Sequence, residues 1–279
     1  MEAGGGGAEE EQVMSEVHLG CPPHFSGLHV SRFSFSSRPV GPSGDNDGGG
    51  GDGSELVAAT SGSFAVDEDG DLVLDRRRGR NKYVRSDCHL LTIQHGVTSS
   101  LKSVGLQVWK AALLLADFVL HKSFSSSNFD GVTAIEIGAG TGLALAPVAR
   151  RIFVTVEEAE KATVLFAADV IYSDDLTDLF FDTVKKLMSS GAKKVLYLAL
   201  EKRYNFSLDE LDVVANGYMH FRSFFTAQDG HGDPIDGYGP GFVGKQIDPA
   251  EIPQYIREYE RGKDLEMWMI MYSPDQKQQ

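Results

Sequence analysis

From residue 105 onward, hydrophobic runs with strand spacing alternate with runs that have helical spacing. The strand-like runs are short and rich in β-branched residues, whereas the helix-like runs place their apolar side chains on one face. The predicted strands are 132–137, 164–168, 194–200, 241–247 and 265–272, and the predicted helices are 109–120, 142–151, 176–188 and 208–225. Alternating strands and helices are typical of a parallel sheet covered by helices, so we predict an α/β fold.

The residues before this region have a different pattern. Segments 16–19, 28–35 and 90–95 alternate in the manner of strands. Residues 41–53 contain seven glycines and three aspartates, and such a segment buries too little apolar surface to offset the entropy lost on ordering. We therefore predict three regions, which are a largely disordered, acidic, glycine-rich extension with short strands (1–60), a β-rich segment (61–100) and an α/β domain (101–275).

Composition narrows the function classes. The chain has 279 residues, 42% of them hydrophobic, and a formal net charge of −14. One sizeable core is expected, and the acidic balance argues against a nucleic-acid partner. Cys21 and Cys88 are too few for a disulfide scaffold or a cysteine zinc cluster, so we predict no metal site and a reducing compartment. The start resembles no secretory signal, and no apolar run reaches the roughly 18 residues that cross a bilayer, so we expect a soluble intracellular protein without a membrane partner.

A glycine cluster directly follows the first predicted strand of the α/β domain. Gly138, Gly140 and Gly142 stand two residues apart, and Glu136 precedes them within the strand. Glycine adopts positive φ readily and lets a ligand approach backbone amides at a helix start, so the loop predicts a nucleotide-like ligand. A dinucleotide fingerprint would need glycine or alanine where this chain has Leu143, which disfavours NAD.

The acid and the three glycines resemble the first motif of class I S-adenosylmethionine-dependent methyltransferases. Three further segments are similar to the lysine methyltransferases called family 16. They are Gly105–Ala112, which carries a tryptophan, Ala168–Tyr172, which matches an Asp-x-x-Tyr signature, and Glu201–Arg203, which follows the next strand. Because four motifs occur in the family's order, the resemblance is specific, and it covers about residues 16–272.

This resemblance implies a seven-stranded Rossmann-like sheet, S-adenosylmethionine as the methyl donor and a protein lysine as the acceptor. The implied cofactor contacts are Trp109, Glu136, Gly138, Ala139, Gly140 and Ala168, and the residues implied to orient the acceptor amine are Asp169 and Tyr172. The methyl group is already activated on the sulfonium, so the protein mainly aligns a neutral amine and excludes water. Two alternatives stay open, since Trp109 could be a core residue and Asp169 could cap the following helix.

The interval between the second and fourth predicted strands departs from the family. Residues 152–155 look like the second strand and the fourth begins at about 164, which leaves the eight residues 156–163. A parallel crossover needs a dozen or more residues, so the third strand, its flanking helices and the acid that holds the ribose should be missing. Glu157 and Glu158 could be mistaken for that acid, but we interpret 156–162 as a solvated lead-in to the fourth strand. The sheet is therefore predicted to be incomplete, in a shortened form of the family.

Two functions compete on these grounds. The first is methyl transfer to a lysine of a non-histone protein by a monomer. The second is a catalytically inactive scaffold that binds protein partners. The basic run Arg76–Lys82 could be an import signal or a solvated loop, so the predicted location is the nucleus, the cytoplasm or both.

Overall fold

The computed structural model describes residues 12–15, 17, 27–36, 88–125, 129, 131–148, 155–207, 212–228 and 241–273. The predicted second strand (except Thr155), the basic run Arg76–Lys82, Cys21 and most of segment 16–19 lie outside the described residues. The three predicted regions stay a prediction.

The described residues form twelve strands, four α-helices and two 3₁₀ helices. The strands are β1 Gln12–Met14, β2 Leu28–Ser36, β3 Cys88–Gly96, β4 Thr98–Ser100, β5 Ala134–Ile137, β6 Val164–Ala168, β7 Val195–Glu201, β8 Asn205–Ser207, β9 Asp212–Val214, β10 Phe225–Ala227, β11 Phe242–Ile247 and β12 Leu265–Tyr272. The helices are α1 Lys110–Ser125, α2 Val156–Lys161, α3 Asp174–Met188 and α4 Asn216–Arg222, with 3₁₀ helices at Leu101–Leu106 and Pro249–Glu251.

A six-stranded sheet forms the centre, in the order β10-β11-β12-β7-β6-β5. Strands β5, β6 and β7 are parallel, whereas β12 runs antiparallel between β7 and β11. Because three neighbouring strands are parallel, their carboxyl ends, Ile137, Ala168 and Glu201, reach the same edge of the sheet. The predicted Rossmann-like α/β fold is confirmed, and the part of the sheet that the structure describes has six strands.

The core lies on both faces of this sheet. Along β6, Val164 and Phe166 belong to the buried cluster that contains α1, while Leu165 and Ala167 belong to the cluster that contains α3 and α4. This alternation follows from the two-residue period of a strand that is covered on both sides. The two helical layers therefore hold the carboxyl edge of the parallel strands in place.

One predicted helix is wrong among the described residues, and another is only partly confirmed. Residues 143–148 form turns instead of the start of a helix, because Pro147 has no N–H to donate in a helical ladder. Of the predicted helix 208–225, only α4 is helical among the described residues, and β8 and β9 form an antiparallel pair before it. The β-branched Val213 and Val214 favour that strand over a helix.

The short connection before β6 agrees with the sequence. Residues 156–163 contain α2 and no strand, and α2 has no buried residue. A capping box holds its start, in which the Thr155 hydroxyl accepts from the Glu158 amide at 3.2 Å and the Glu158 carboxylate accepts from the Thr155 amide at 2.8 Å. The interpretation of 156–162 as a solvated lead-in is confirmed for α2, whereas Ala162, which follows it, is buried.

Candidate functional site

A cleft of about 160 Å³ opens at the carboxyl edge of the parallel strands. All eight residues that the sequence predicted as site residues line it. They are Trp109, Glu136, Gly138, Ala139, Gly140, Ala168, Asp169 and Tyr172, and the remaining lining comes from Val104, Gly105, Gln107, Ala112, Thr141 and Val170. Residues from separate motifs therefore meet in one place, although the role of each stays a prediction.

The glycine loop owes its shape to left-handed backbone at two lining positions. Gly138 has φ +70° and Gly140 has φ +52°. A Cβ at Gly140 would lie 2.8 Å from the backbone oxygen of Gly105, and a Cβ at Gly138 would lie 2.7 Å from the side chain of Val170. Only glycine combines this backbone with such close approach, so the loop can press against the 3₁₀ helix and the chain after β6.

Asp169 follows β6 in an unusual backbone conformation. Its φ is +54°, and it is the one left-handed residue other than glycine among the described residues. Its amide donates to the Ala199 carbonyl at 2.9 Å, and its side chain is only 2% exposed. Aspartate tolerates this region better than most residues, and strain of this kind often marks a functional position. The residue at the start of α3 is Ser173, so the alternative that Asp169 caps that helix is wrong.

The Asp169 carboxylate is paired with a guanidinium. Arg203 Nη2 lies 2.8 Å from Asp169 Oδ2. The same guanidinium stacks over the ring of Trp109, with its Cζ 4.5 Å from the ring centroid. Trp109 is half-buried immediately before α1, and its indole N–H donates to the Val104 carbonyl at 3.1 Å. Trp109 is therefore a cleft residue instead of a core residue, and one face of its ring is already covered.

Glu136 gives the cleft a second carboxyl group. It lies within β5, and burial raises its pKa from the ordinary 4.5 to about 7. No cation or hydrogen-bond donor of the described residues contributes to this shift in pKa. A cationic ligand group placed beside Glu136 would stabilise its charged form.

Tyr172 stands at the rim of the cleft, with 42% of its surface exposed. It lies three residues after Asp169 and just before α3, so the Asp-x-x-Tyr spacing places both residues on the same cleft. An exposed phenol beside a buried carboxylate can contact a side chain that enters from solvent.

Sequence reasoning assigned no role to two polar residues at the site, although both lie within motifs that it singled out. Gln107 is 2% exposed, and its amide nitrogen donates to the Val13 carbonyl and the Ser99 hydroxyl, both at 2.8 Å. Its Oε1 is buried without a partner among the described residues. Arg203 is the other. It contacts Asp169 and Trp109 without lining the cleft, and its position after the carboxyl end of β7 indicates a site role, since ligands of open α/β sheets bind at that edge.

Other parts of the described chain have fewer polar groups that could serve a reaction. A hollow of about 430 Å³ lies beside β10, β11 and β12, and its described lining holds Lys193 but no carboxylate. The described residues contain no cluster of side chains able to hold a metal ion. They also contain no helix with the length and apolar character needed to span a membrane.

The cleft fits part of a cofactor of the size of S-adenosylmethionine. Gly138 and Gly140 form a cradle that any Cβ would fill, and Glu136 supplies a half-buried carboxyl group that can face an ammonium. However, pockets for small molecules usually measure about 300–1,000 Å³, and this cleft measures about 160 Å³. The residues present therefore suit the amino-acid end of the cofactor, and the described cleft is smaller than the whole molecule requires.

Known proteins show the same resemblance. Residues 86–161 match a family described as lysine methyltransferase. The chain is 32% identical over 248 residues to methyltransferase-like protein 22 of Homo sapiens. This match covers 66% of this chain and 58% of that protein. It is also 29% identical over 274 residues to methyltransferase-like protein 22 of Mus musculus. This second match covers 76% of this chain and 65% of that protein. The chain thus spans less than two thirds of the length of both relatives, and the predicted resemblance to lysine methyltransferases is confirmed.

Proposed function

We propose that this chain transfers a methyl group from S-adenosylmethionine to a lysine side chain of a protein. The observation that carries the proposal is the convergence of all eight motif residues on one cleft at the carboxyl edge of the parallel strands. The similarity to lysine methyltransferases supports the reaction class.

Residues at the glycine loop hold the cofactor, and residues after β6 orient the acceptor. Gly138, Ala139 and Gly140 hold the amino-acid end of the cofactor against the backbone, and the carboxyl group of Glu136 faces its ammonium. The cofactor, when bound, supplies an activated methyl group. Asp169 and Tyr172 border the entrance and orient the acceptor amine. Alignment and exclusion of water account for most of the acceleration, since the amine needs no strong base.

The acceptor is a lysine of a non-histone protein, in the nucleus or the cytoplasm, and the chain acts as a monomer. The net charge of −14 supports a substrate segment that is basic.

Calorimetric titration of S-adenosylmethionine into this chain tests the proposal. Gly140→Ala should weaken binding by at least about tenfold, because its Cβ would meet the Gly105 oxygen inside the cleft. Gly131→Ala is the matched control. Gly131 also has positive φ, +70°, but it lies before β5, where an added Cβ would have nothing within 4 Å, so the control carries the same backbone strain away from the cleft. Equal affinity of both variants would contradict the proposed cofactor site.

A non-catalytic scaffold is the second candidate. The cleft volume of about 160 Å³ favours it, because the described cleft holds only part of the cofactor. Absence of binding to a chain whose folding is verified by a cooperative melting transition would support the scaffold and exclude the enzyme.

A further inference from the structure

The guanidinium of Arg203 occupies a position defined by an aromatic ring and a carboxylate. Its Cζ lies 4.5 Å from the centroid of the Trp109 ring, and its Nη2 lies 2.8 Å from Asp169 Oδ2. An aromatic face and a carboxylate are two groups that proteins often use to recognise an alkyl cation. Trp109 and Asp169 both line the candidate cleft. Arg203 is not among the described residues that line the cleft, so Trp109 and Asp169 form a cation subsite at the boundary of the cleft, which the chain fills with its own side chain.

The two walls of this subsite are held more firmly than the side chain that occupies it. Asp169 is 2% exposed and its amide is bonded to β7, and the Trp109 indole is bonded to the Val104 carbonyl. The Arg203 side chain, in contrast, is 37% exposed and belongs to the irregular segment between β7 and β8. Its Nε is buried without a hydrogen-bond partner among the described residues, which leaves part of the guanidinium unsatisfied. Arg203 therefore loses fewer hydrogen bonds on leaving this position than a fully satisfied guanidinium would lose.

We propose that Trp109 and Asp169 form the subsite for the acceptor's lysine ammonium, and that Arg203 fills it until the acceptor displaces it. This inference rests on the proposed function, because it names how the same cleft receives its substrate. The exchange is non-covalent, with one cation replacing another on the same carboxylate. The acceptor ammonium is the better match than the donor's sulfonium, since Asp169 accepts an N–H hydrogen bond and a sulfonium has no N–H to donate.

Titration of n-butylammonium, a mimic of the lysine side chain, tests the subsite by ¹⁵N–¹H NMR. The chain has two tryptophans, so two indole signals are expected, and that of Trp268 is an internal control. Trp268 is buried and its indole donates to Glu266 at 2.8 Å, away from the described cleft lining. The Trp109 signal should shift saturably while the Trp268 signal stays in place. Arg203→Ala should lower the dissociation constant about tenfold, because the competing cation is gone.

Three variants make the measurement decisive. Lys202→Ala removes the neighbouring cation, which pairs with Glu266, and should leave the wild-type response unchanged. Arg203→Ala combined with Asp169→Asn should lose the response, and asparagine is chosen because it also tolerates the left-handed backbone. Arg203→Met keeps a long side chain without the charge, in case the alanine variant does not fold.

Several results would overturn the inference. One is an equal dissociation constant for the wild type and Arg203→Ala. Another is failure of both Arg203 variants to fold, which would make Arg203 a structural tie. A response to trimethylsulfonium as strong as that to n-butylammonium would assign the subsite to the donor instead of the acceptor. None of these readouts uses S-adenosylmethionine. A chain that fails to bind the cofactor would contradict the proposed function, whereas the titrations with n-butylammonium and trimethylsulfonium test the cation subsite independently.

Discussion

Two buried aspartates of this protein are paired with arginines, and the two pairs differ in how completely they are satisfied. Asp117 on α1 is fully buried, and its carboxylate accepts from the amides of Tyr255 and Ile256, the Tyr259 hydroxyl and Arg261. Arg261 also donates to the carbonyls of Pro249, Ile252 and Pro253. Asp169 is nearly as buried, but Arg203 is 37% exposed and has an Nε without a partner among the described residues.

This difference distinguishes an ion pair that stabilises the fold, Asp117 with Arg261, from one that belongs to the candidate cleft, Asp169 with Arg203. The Asp117 pair joins α1 to the segment before β12, two elements 144 residues apart, and both of its charged groups have several partners. Burial of such a pair is tolerable only when its hydrogen bonds are complete. The Asp169 pair lies on an open cleft, where an incomplete set of bonds on its arginine lets another cation compete for the carboxylate. Chemical type alone does not distinguish the two pairs, whereas hydrogen-bond completeness and exposure do.

Breaking the structural pair should have the largest effect. Asp117→Ala leaves the largely buried Arg261 guanidinium without its carboxylate, so we expect a loss of about 3–5 kcal/mol in the free energy of unfolding. Chemical denaturation measures it. A loss below about 1 kcal/mol would mean that this pair is no more important than a surface ion pair.

Breaking the cleft pair should have a much smaller effect on stability. Arg203→Ala removes a partly exposed partner and opens Asp169 to water, so we expect a loss of about 1 kcal/mol or less, measured by the same denaturation. If Arg203→Ala destabilises the protein as much as Asp117→Ala does, the contrast between the two pairs disappears.

Glu136 is a third carboxyl group to compare with Asp117 and Asp169. No arginine of the described residues lowers its pKa. Burial raises its pKa from 4.5 to about 7, so between these values the folded protein keeps a proton that the unfolded chain has released. The stability that depends on this proton is present below pH 4.5 and is lost as the pH rises through about 7. Glu136→Gln should therefore raise the Tm by a few degrees at pH 8 and change it little at pH 4.5, as scanning calorimetry can show. An equal change at both pH values would contradict a raised pKa.

Regular elements of the domain were predictable from local patterns. The bounds of β6 and β12 match their hydrophobic runs, because a strand covered on both faces must be largely apolar. The pattern failed at residues 143–148 and 212–214, where a proline and a β-branched pair override helical spacing. The site was predictable as far as it follows strand ends, since Gly138 and Asp169 come directly after β5 and β6.

The sequence by itself determined the α/β fold, the glycine loop and the set of residues at the carboxyl edge, because these depend on local spacing and on the direction of parallel strands. Only the tertiary structure decided which charges meet. Asp169 and Arg203 are 34 residues apart, and no periodicity links them. Their contact, like that of Asp117 with Arg261, arises because sheet pairing brings distant strand ends and loops within hydrogen-bond distance, and packing then sets how much water each pair retains.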